Sequence, residues 1–206
     1  MRRQLAIQLA GFLILATLGC AKPQAWVPPR MDLQKQGTLG LIEFESDGGY
    51  GTIATEQFLA AVHAAQTGVP VLELGPLAPL LRSVGHATLS PDAVRAIGKR
   101  HRVDVVVVGA LELEKPRPNF SVRSFTEAKA SAEILGTLNT RFLDAGNGAT
   151  TWSDRASGKR TLAHFNVVGG QRPQFGVADP EGEEAKLVSW LVSHVTGDFR
   201  GHWARQ

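Results

Sequence analysis

Residues 102–113 read RVDVVVVGALEL, and this stretch decides the fold. Four consecutive valines follow an aspartate, and a continuous β-branched run of this kind is typical of a strand that is covered on both faces. Such a strand needs a packed layer above it and another below it. We therefore expect residues 105–108 to lie inside a sheet that has helices on both sides.

The chain before this strand predicts the required layers. Residues 38–45 read TLGLIEFE and residues 71–74 read VLEL, and both predict short strands. Residues 53–66 place apolar side chains at helical spacing, and Ser90-Pro91 offers the capping serine and first-turn proline that begin a helix. The alternation of strands and helices predicts a largely parallel sheet with right-handed crossovers.

The chain after the valine run changes its period. Residues 130–143 alternate between apolar and polar side chains, the turn DAGNG follows at 144–148, and residues 149–158 return. This pattern predicts a long antiparallel hairpin. Residues 115–126 contain proline and arginine, and residues 162–178 contain glycine as well. Neither segment has a clear period, so we expect both to be loops.

These elements together predict an α/β fold class. We expect a single domain over residues 37–206, with a mixed, mostly parallel sheet, flanking helices, a long antiparallel hairpin and a C-terminal helix. That last helix should begin at Asp179-Pro180, because aspartate caps a helix well and proline suits the first helical position.

The first twenty residues predict export and lipidation. Arg2 and Arg3 precede a mostly apolar run that ends in Thr17-Leu18-Gly19-Cys20, a pattern typical of a secretory signal peptide. The end of this run resembles the lipobox of bacterial lipoproteins, in which the cysteine is acylated. We expect a signal peptide over residues 1–19 and a lipid on Cys20. The alternative is that Cys20 is an ordinary apolar residue of an uncleaved helix.

Residues 20–36 are expected to form a flexible tether, because they contain three prolines and no apolar periodicity. Such a tether would hold the domain up to about 50 Å from the lipid. Ala21 follows the cysteine directly and, by the sorting rule of enteric bacteria, favours transport of the lipoprotein to the outer membrane. The sequence thus predicts a lipid-anchored protein of the bacterial cell envelope that faces the periplasm.

Composition agrees with a globular exported domain. The chain has 206 residues, of which 43% are hydrophobic and 20% are charged. Its formal charge of +3 includes Arg2 and Arg3, so a mature chain would keep a single excess positive charge. Nucleic-acid binding therefore lacks its usual electrostatic basis. A single cysteine excludes an internal disulfide.

Two motifs could bind ligands, and neither is persuasive. The glycine-rich segment DGGYGT at residues 47–52 joins a strand to a helix, where backbone amides can hold a phosphate. It lacks the Gly-Lys-Ser/Thr ending of a P-loop, so a plain tight turn is favoured. His194, Asp198 and His202 have the four-residue spacing of one helix face and could approach a metal. Ordinary surface residues are the favoured interpretation, and we expect no cofactor and no metal.

Catalytic residues are also not expected. Ser153 and Asp154 are adjacent and His164 follows, but no GxSxG elbow accompanies them. Almost any chain of this length contains such a set, so the pattern gives little support to a nucleophilic triad. The sequence therefore predicts a protein that is not an enzyme.

The segment 115–126 is the predicted partner-binding surface. Its basic and aromatic side chains are Arg117, Phe120, Arg123 and Phe125. They could contact an acidic polymer, a lipid headgroup or a protein groove, and the segment interrupts the sheet pattern without an evident packing reason. The alternative is a solvated loop.

Three segments in this order resemble a known periplasmic domain. They are the strand at 39–44, the segment IGKRHRVDVVVVG at 97–109, and the hairpin from RFLD at 141–144 to TWS at 151–153. They resemble the α/β domain shared by CsgG-type curli assembly lipoproteins, LpoB-type activators of penicillin-binding proteins and the N-terminal domain of TolB.

The resemblance implies a function without catalysis. It favours an envelope lipoprotein that acts as a protein-binding or assembly module, with another envelope protein as its partner. One alternative is a homo-oligomeric secretion or assembly component of the CsgG type, although a CsgG pore needs longer alternating segments than residues 115–126 and 162–178 provide. A periplasmic hydrolase is the third hypothesis.

Overall fold

The computed structural model describes residues 24–124, 127–168, 174–177 and 179–205. The predicted signal peptide and Cys20 lie outside these residues. No helix in the described part of the chain is long and apolar enough to cross a membrane.

The chain forms two compact units. In the smaller one, strand β1 (Gln24–Val27) pairs antiparallel with strand β10 (His202–Arg205). We call this pair the terminal ribbon. The larger unit, Pro29–Arg200, contains all the remaining helices and strands.

The larger unit is built on one mixed sheet. Its strands are β2 (Leu39–Ile42), β3 (Glu45–Ser46), β4 (Val71–Gly75), β5 (Val105–Leu113), β6 (Arg117–Ser124), β7 (Glu127–Asp144), β8 (Thr150–Val168) and β9 (Gln174–Val177). The order is β4-β2-β5-β7-β8-β9, with β3 beside β5 and β6 beside β7. Pairing is parallel among β4, β2, β5 and β3, and antiparallel from the β5–β7 pair onward. The predicted mixed α/β class is confirmed.

Four α-helices accompany the sheet in the part of the chain that the structure describes. They are α1 (Tyr50–Ala65), α2 (Leu77–Ser83), α3 (Pro91–His101) and α4 (Pro180–Val195), and short 3-10 helices span Leu33–Gln36 and Gly197–Phe199. Ser90 and Asp179 cap α3 and α4 as predicted, because their side chains accept backbone N–H groups of the first turn.

The valine run is buried on both faces, as the sequence predicts. Val105 and Val107 belong to the core that α1 and α4 cover, where Phe58, Phe142 and Phe199 cluster with ring centroids 5.7–6.5 Å apart. Val106 and Val108 belong to a second core, which packs against α2 and α3 on the other face of the sheet. Two separate cores therefore meet at β5.

The antiparallel part of the sheet is larger than the sequence indicated. The expected loop at 115–126 contains β6, and the expected loop at 162–178 contains the end of β8 and all of β9. Pro118 concealed β6, but proline is tolerated in an edge strand, and β6 hydrogen-bonds only to β7 among the described residues.

The described part of the predicted tether, residues 24–36, contains β1 and a 3-10 helix. Residues 24–27 form β1, and Met31 and Leu33 are buried in the core of the larger unit. Gln66 at the end of α1 holds this segment, since its Oε1 accepts from the Leu33 N–H at 2.8 Å and its Nε2 donates to the Met31 carbonyl at 2.7 Å. Only two apolar side chains enter the core, so no periodicity revealed this packing.

Candidate functional site

A groove lies where the short parallel strands end. Strand β2 ends at Ile42, and β3 then pairs with β5 so that Glu45 lies beside Ala110. The register continues across the sheet from Ala110 to Asn139 on β7 and from Asn139 to Arg155 on β8. Residues from four strands, distant in sequence, therefore form one row.

The centre of the groove has an apolar floor and a polar rim. Its volume is about 190 Å³. The floor is formed by Ile42, Leu77, Leu89 and Val108, and the rim by Glu43, Glu45, Asn139 and Arg141. The groove opens on the face of the sheet that carries α2 and α3.

Two shallower depressions continue the groove on either side. One, of about 370 Å³, shares Glu45, Leu77 and Leu89 with the centre and adds Arg82 and His86. The other, of about 410 Å³, shares Asn139 and Arg141 and adds Ser153, Asp154 and Arg155. We call the three depressions together the strand-end groove.

Charges of both signs line this groove. Glu43 is held in place, because its carboxylate accepts a hydrogen bond from the Thr52 hydroxyl and its N–H donates to the Gly75 carbonyl. Glu45 and Arg141 are exposed, and neither is ion-paired within the described part of the chain. Such charges can pair with a ligand without first breaking an internal ion pair.

The predicted partner-binding residues lie elsewhere. Arg117 is exposed on β6 and forms an ion pair with Glu114 at 2.6 Å. Phe120 and Arg123 also lie on β6, and Phe125 lies outside the described residues. The argument that this segment interrupts the sheet was wrong, since β6 pairs with β7 from Arg117 onward.

The glycine-rich segment behaves as a tight turn. Gly48 and Gly49 have φ values of 89° and 82°, a region that favours glycine, and α1 begins directly afterwards at Tyr50. Hydrogen bonding to Glu184, with further contributions from burial and nearby carboxylates, raises the pKa of Tyr50 to about 12. This concentration of negative charge at the start of α1 disfavours a phosphate there.

The predicted metal set does not share a helix. Helix α4 ends at Val195, so Asp198 and His202 lie beyond it. Asp198 instead accepts a hydrogen bond from the Trp152 indole at 3.4 Å, and the His194 ring stacks on Trp190 with centroids 3.7 Å apart. No cluster of three or more potential metal ligands occurs among the residues that the structure describes.

Ser153, Asp154 and His164, which were considered for a triad, all lie on β8 and do not come together. Ser153 and Asp154 are neighbours on β8, so their side chains point to opposite faces of the sheet. His164 lies eleven residues further along the same strand, which places its backbone about 36 Å away. The geometry therefore does not assemble this triad.

Sequence reasoning missed the groove, although one signal was available. Ligands of sheets with parallel strands often bind beyond the carboxyl ends of those strands, which points to Glu43 and Glu45. The contributions of Asn139, Arg141 and Arg155 depend on the β5–β7–β8 register, which no local pattern reveals.

Comparison with known proteins gives likenesses of fold. No protein-family model and no curated protein matches the chain. Among solved structures it is similar to the PelC dodecamer from Paraburkholderia phytofirmans, with a TM-score of 0.45 and 15% identity, over 89% of this chain and 99% of that one. It is also similar to lipoprotein GNA1162 from Neisseria meningitidis, with a TM-score of 0.37 and 16% identity, over 61% of this chain and 83% of that one.

The LpoB C-terminal domain from Salmonella enterica is a further likeness, with a TM-score of 0.36 and 9% identity, over 64% of this chain and 84% of that one. LpoB belongs to the group that the sequence resembles, and these three structures do not bear on the CsgG and TolB parts of that resemblance. At such scores and identities the likenesses say nothing about function, so the site is judged by its own geometry.

Proposed function

We propose that the chain is a lipid-anchored lipoprotein of the bacterial envelope whose strand-end groove binds a segment of another envelope protein. The observation that carries this proposal is an apolar floor beside the exposed charges of Glu45 and Arg141, which form no ion pair with another described residue. Binding is non-catalytic, and the anchor is Cys20.

A small apolar centre between two larger and more open depressions suits an extended protein segment. The centre alone, about 190 Å³, is smaller than the roughly 300–1,000 Å³ of ordinary small-molecule pockets. A single apolar side chain fills such a centre, and the neighbouring depressions then receive the flanking residues. Glu45 on one side and Arg141 on the other favour a segment in which one apolar residue has a basic residue on one side and an acidic residue on the other.

The anchor supports the same function. A lipoprotein with two or three acyl chains stays stably on its membrane, so the groove works next to other envelope proteins at high local concentration. Ala21 favours the outer membrane as the location, with the domain facing the periplasm. Strand β6, which carries Arg117, Phe120 and Arg123 of the predicted surface, can extend the contact. Among the described residues it pairs only with β7, and the other edge of such a strand offers free backbone groups. Phe125, the fourth residue of that surface, lies outside the described residues.

Crosslinking inside the cell tests the groove. A photoreactive phenylalanine derivative at Leu89, which lines the centre, should give one recurring adduct with a foreign envelope protein, identified by mass spectrometry. Adding Arg141→Glu or Glu45→Lys should lower the adduct yield by at least about tenfold, because losing a charged anchor contact costs about 2 kcal/mol.

Matched charge reversals outside the groove serve as controls. Lys99→Glu on α3 and Glu56→Lys on α1 change exposed residues that do not line it, and both should leave the adduct intact. Equal losses in groove and control variants would contradict the proposal. Adducts made only of the chain itself would favour the alternative function, a homo-oligomeric assembly component. The mass of the detergent-solubilised protein would test that alternative independently.

A further inference from the structure

The terminal ribbon presents two tryptophans that are more than half exposed. Trp26 on β1 lies directly opposite Trp203 on β10, and their ring centroids are 5.4 Å apart in an edge-to-face arrangement. The two residues remain 51% and 65% exposed. Paired residues on neighbouring strands point to the same face, so the two indoles form one apolar projection.

The composition of the ribbon favours contact with a membrane surface. Neither strand contains a carboxylate, whereas His202 and Arg205 belong to β10. An indole combines a large apolar ring with one N–H donor, and tryptophan is enriched at the level of lipid headgroups for that reason. The absence of acidic residues from both strands also avoids repulsion by anionic lipids.

The position of the ribbon in the chain supplies an independent argument. Strand β1 begins at Gln24, only four residues after Cys20. Four residues span at most about 14 Å even when fully extended, far less than the roughly 50 Å that a flexible tether over residues 20–36 would allow. If Cys20 carries the lipid, the start of β1 cannot leave the vicinity of the headgroups.

We propose that the terminal ribbon inserts the indoles of Trp26 and Trp203 into the interfacial region of the phospholipid bilayer that holds Cys20. The ribbon then acts as a second membrane contact beside the acyl chains. This inference rests on the lipidation of Cys20 in the proposed function, and it does not depend on what the strand-end groove binds.

Fluorescence quenching tests the contact with the full-length lipidated chain. The protein is reconstituted into vesicles of phosphatidylethanolamine and phosphatidylglycerol, with or without bromine atoms on the upper part of the acyl chains. Two of the four tryptophans lie on the ribbon, so we expect brominated lipid to quench roughly half of the emission. The double variant Trp26→Phe/Trp203→Phe should lose nearly all of this quenching.

Trp190→Phe is the matched control. Trp190 lies on α4 and packs against Gly158 of β8, so removing it should leave the bromine-dependent loss unchanged. Each single ribbon variant should lose about half of the effect, which guards against a double variant that fails to fold. Quenching that is absent from the wild type, or equal in the wild type and the double variant, would overturn the inference.

The same sample separates this inference from the proposed function. Intact mass reports whether Cys20 is acylated. An acylated chain without bromine quenching overturns the ribbon contact and leaves the anchored binding module standing, whereas a chain without the lipid overturns both. If the Leu89 crosslink is lost equally in the groove variants and in their controls while bromine quenching remains, the proposal for the groove fails and the proposal for the ribbon stands.

Discussion

Two buried threonines of the larger unit differ in their hydrogen bonds. The Thr55 hydroxyl accepts from the Phe44 N–H and donates to the Gly51 carbonyl, both at 2.8 Å. The Thr140 hydroxyl is fully buried and has no partner among the described residues. A buried polar atom without a partner costs free energy, and a paired one does not.

Valine substitutions should therefore act in opposite directions. Thr140→Val removes an unpaired hydroxyl at nearly constant shape and should raise the free energy of unfolding by about 1 kcal/mol. Thr55→Val leaves the Phe44 N–H buried and unpaired and should lower it by about 2 kcal/mol. Urea unfolding of both variants measures the difference, and a change of the same sign in both would contradict this reasoning.

At the scale of elements, Tyr50 at the start of α1 interacts with Glu184 of α4. The hydrogen bond from the phenol to this carboxylate raises the pKa of Tyr50 to about 12, assisted by burial and by Glu181 and Asp179. A raised pKa means that the protonated phenol stabilises the fold. This contribution is complete below the ordinary tyrosine pKa of about 10 and is lost as the pH rises through about 12.

The titration can be read directly, because Tyr50 is the only tyrosine in the chain. Near-ultraviolet absorbance should report ionisation at a pH of about 12 in the folded protein. Glu184→Gln should move the midpoint toward the ordinary value, whereas Glu183→Gln should not, since Glu183 pairs with Lys186 at 2.7 Å. Circular dichroism at each pH confirms that the chain is still folded, and an ordinary midpoint in the folded wild type would contradict the assignment.

The sequence was informative about elements with strong local patterns. The valine run of β5, the caps Ser90 and Asp179 and the alternation of β7 follow from residues that are close together in the chain. Strand β6 was missed because Pro118 is compatible with a strand only at an edge, and edge positions depend on tertiary pairing.

Most of the candidate site could not be predicted from the sequence, because it also depends on tertiary pairing. Glu43 and Glu45 lie at the carboxyl end of the strand predicted over residues 38–45 and could be proposed from that position alone. Arg141 looks like any polar residue of an alternating strand until the register places it beside Val108. A groove whose walls come from four strands is a property of pairing, and local patterns do not determine pairing.

At the scale of the whole molecule, Gln66 joins distant parts of the larger unit. Besides its bonds to the Leu33 N–H and the Met31 carbonyl, its Nε2 donates to the Phe199 carbonyl at 3.1 Å. One side chain thus connects residues 31–33, the end of α1 and the 3-10 helix at Gly197–Phe199.

Removing these bonds should loosen the start of the unit. Gln66→Ala should lower the free energy of unfolding by about 2–3 kcal/mol, at about 1 kcal/mol for each lost hydrogen bond. Gln66→Glu keeps the acceptor for Leu33 but loses the two donated bonds, so it should also destabilise. Glu56→Ala, on the exposed face of α1, should change the value by less than about 0.5 kcal/mol. Urea midpoints of the three variants check this order, and a Gln66→Ala value no larger than that of Glu56→Ala would contradict it.

The packing of residues 29–36 also determines how the molecule would respond to mechanical load. If Cys20 carries a lipid, β1 begins only four residues after the anchor. The buried side chains of Met31 and Leu33, together with the Gln66 amide, hold the following segment in the core of the larger unit. If load separates β1 from β10 and then detaches this segment, the stretch from residue 20 to residue 36 can extend to about 50 Å. The packing of residues 29–36 would therefore set the force at which such an anchor lengthens.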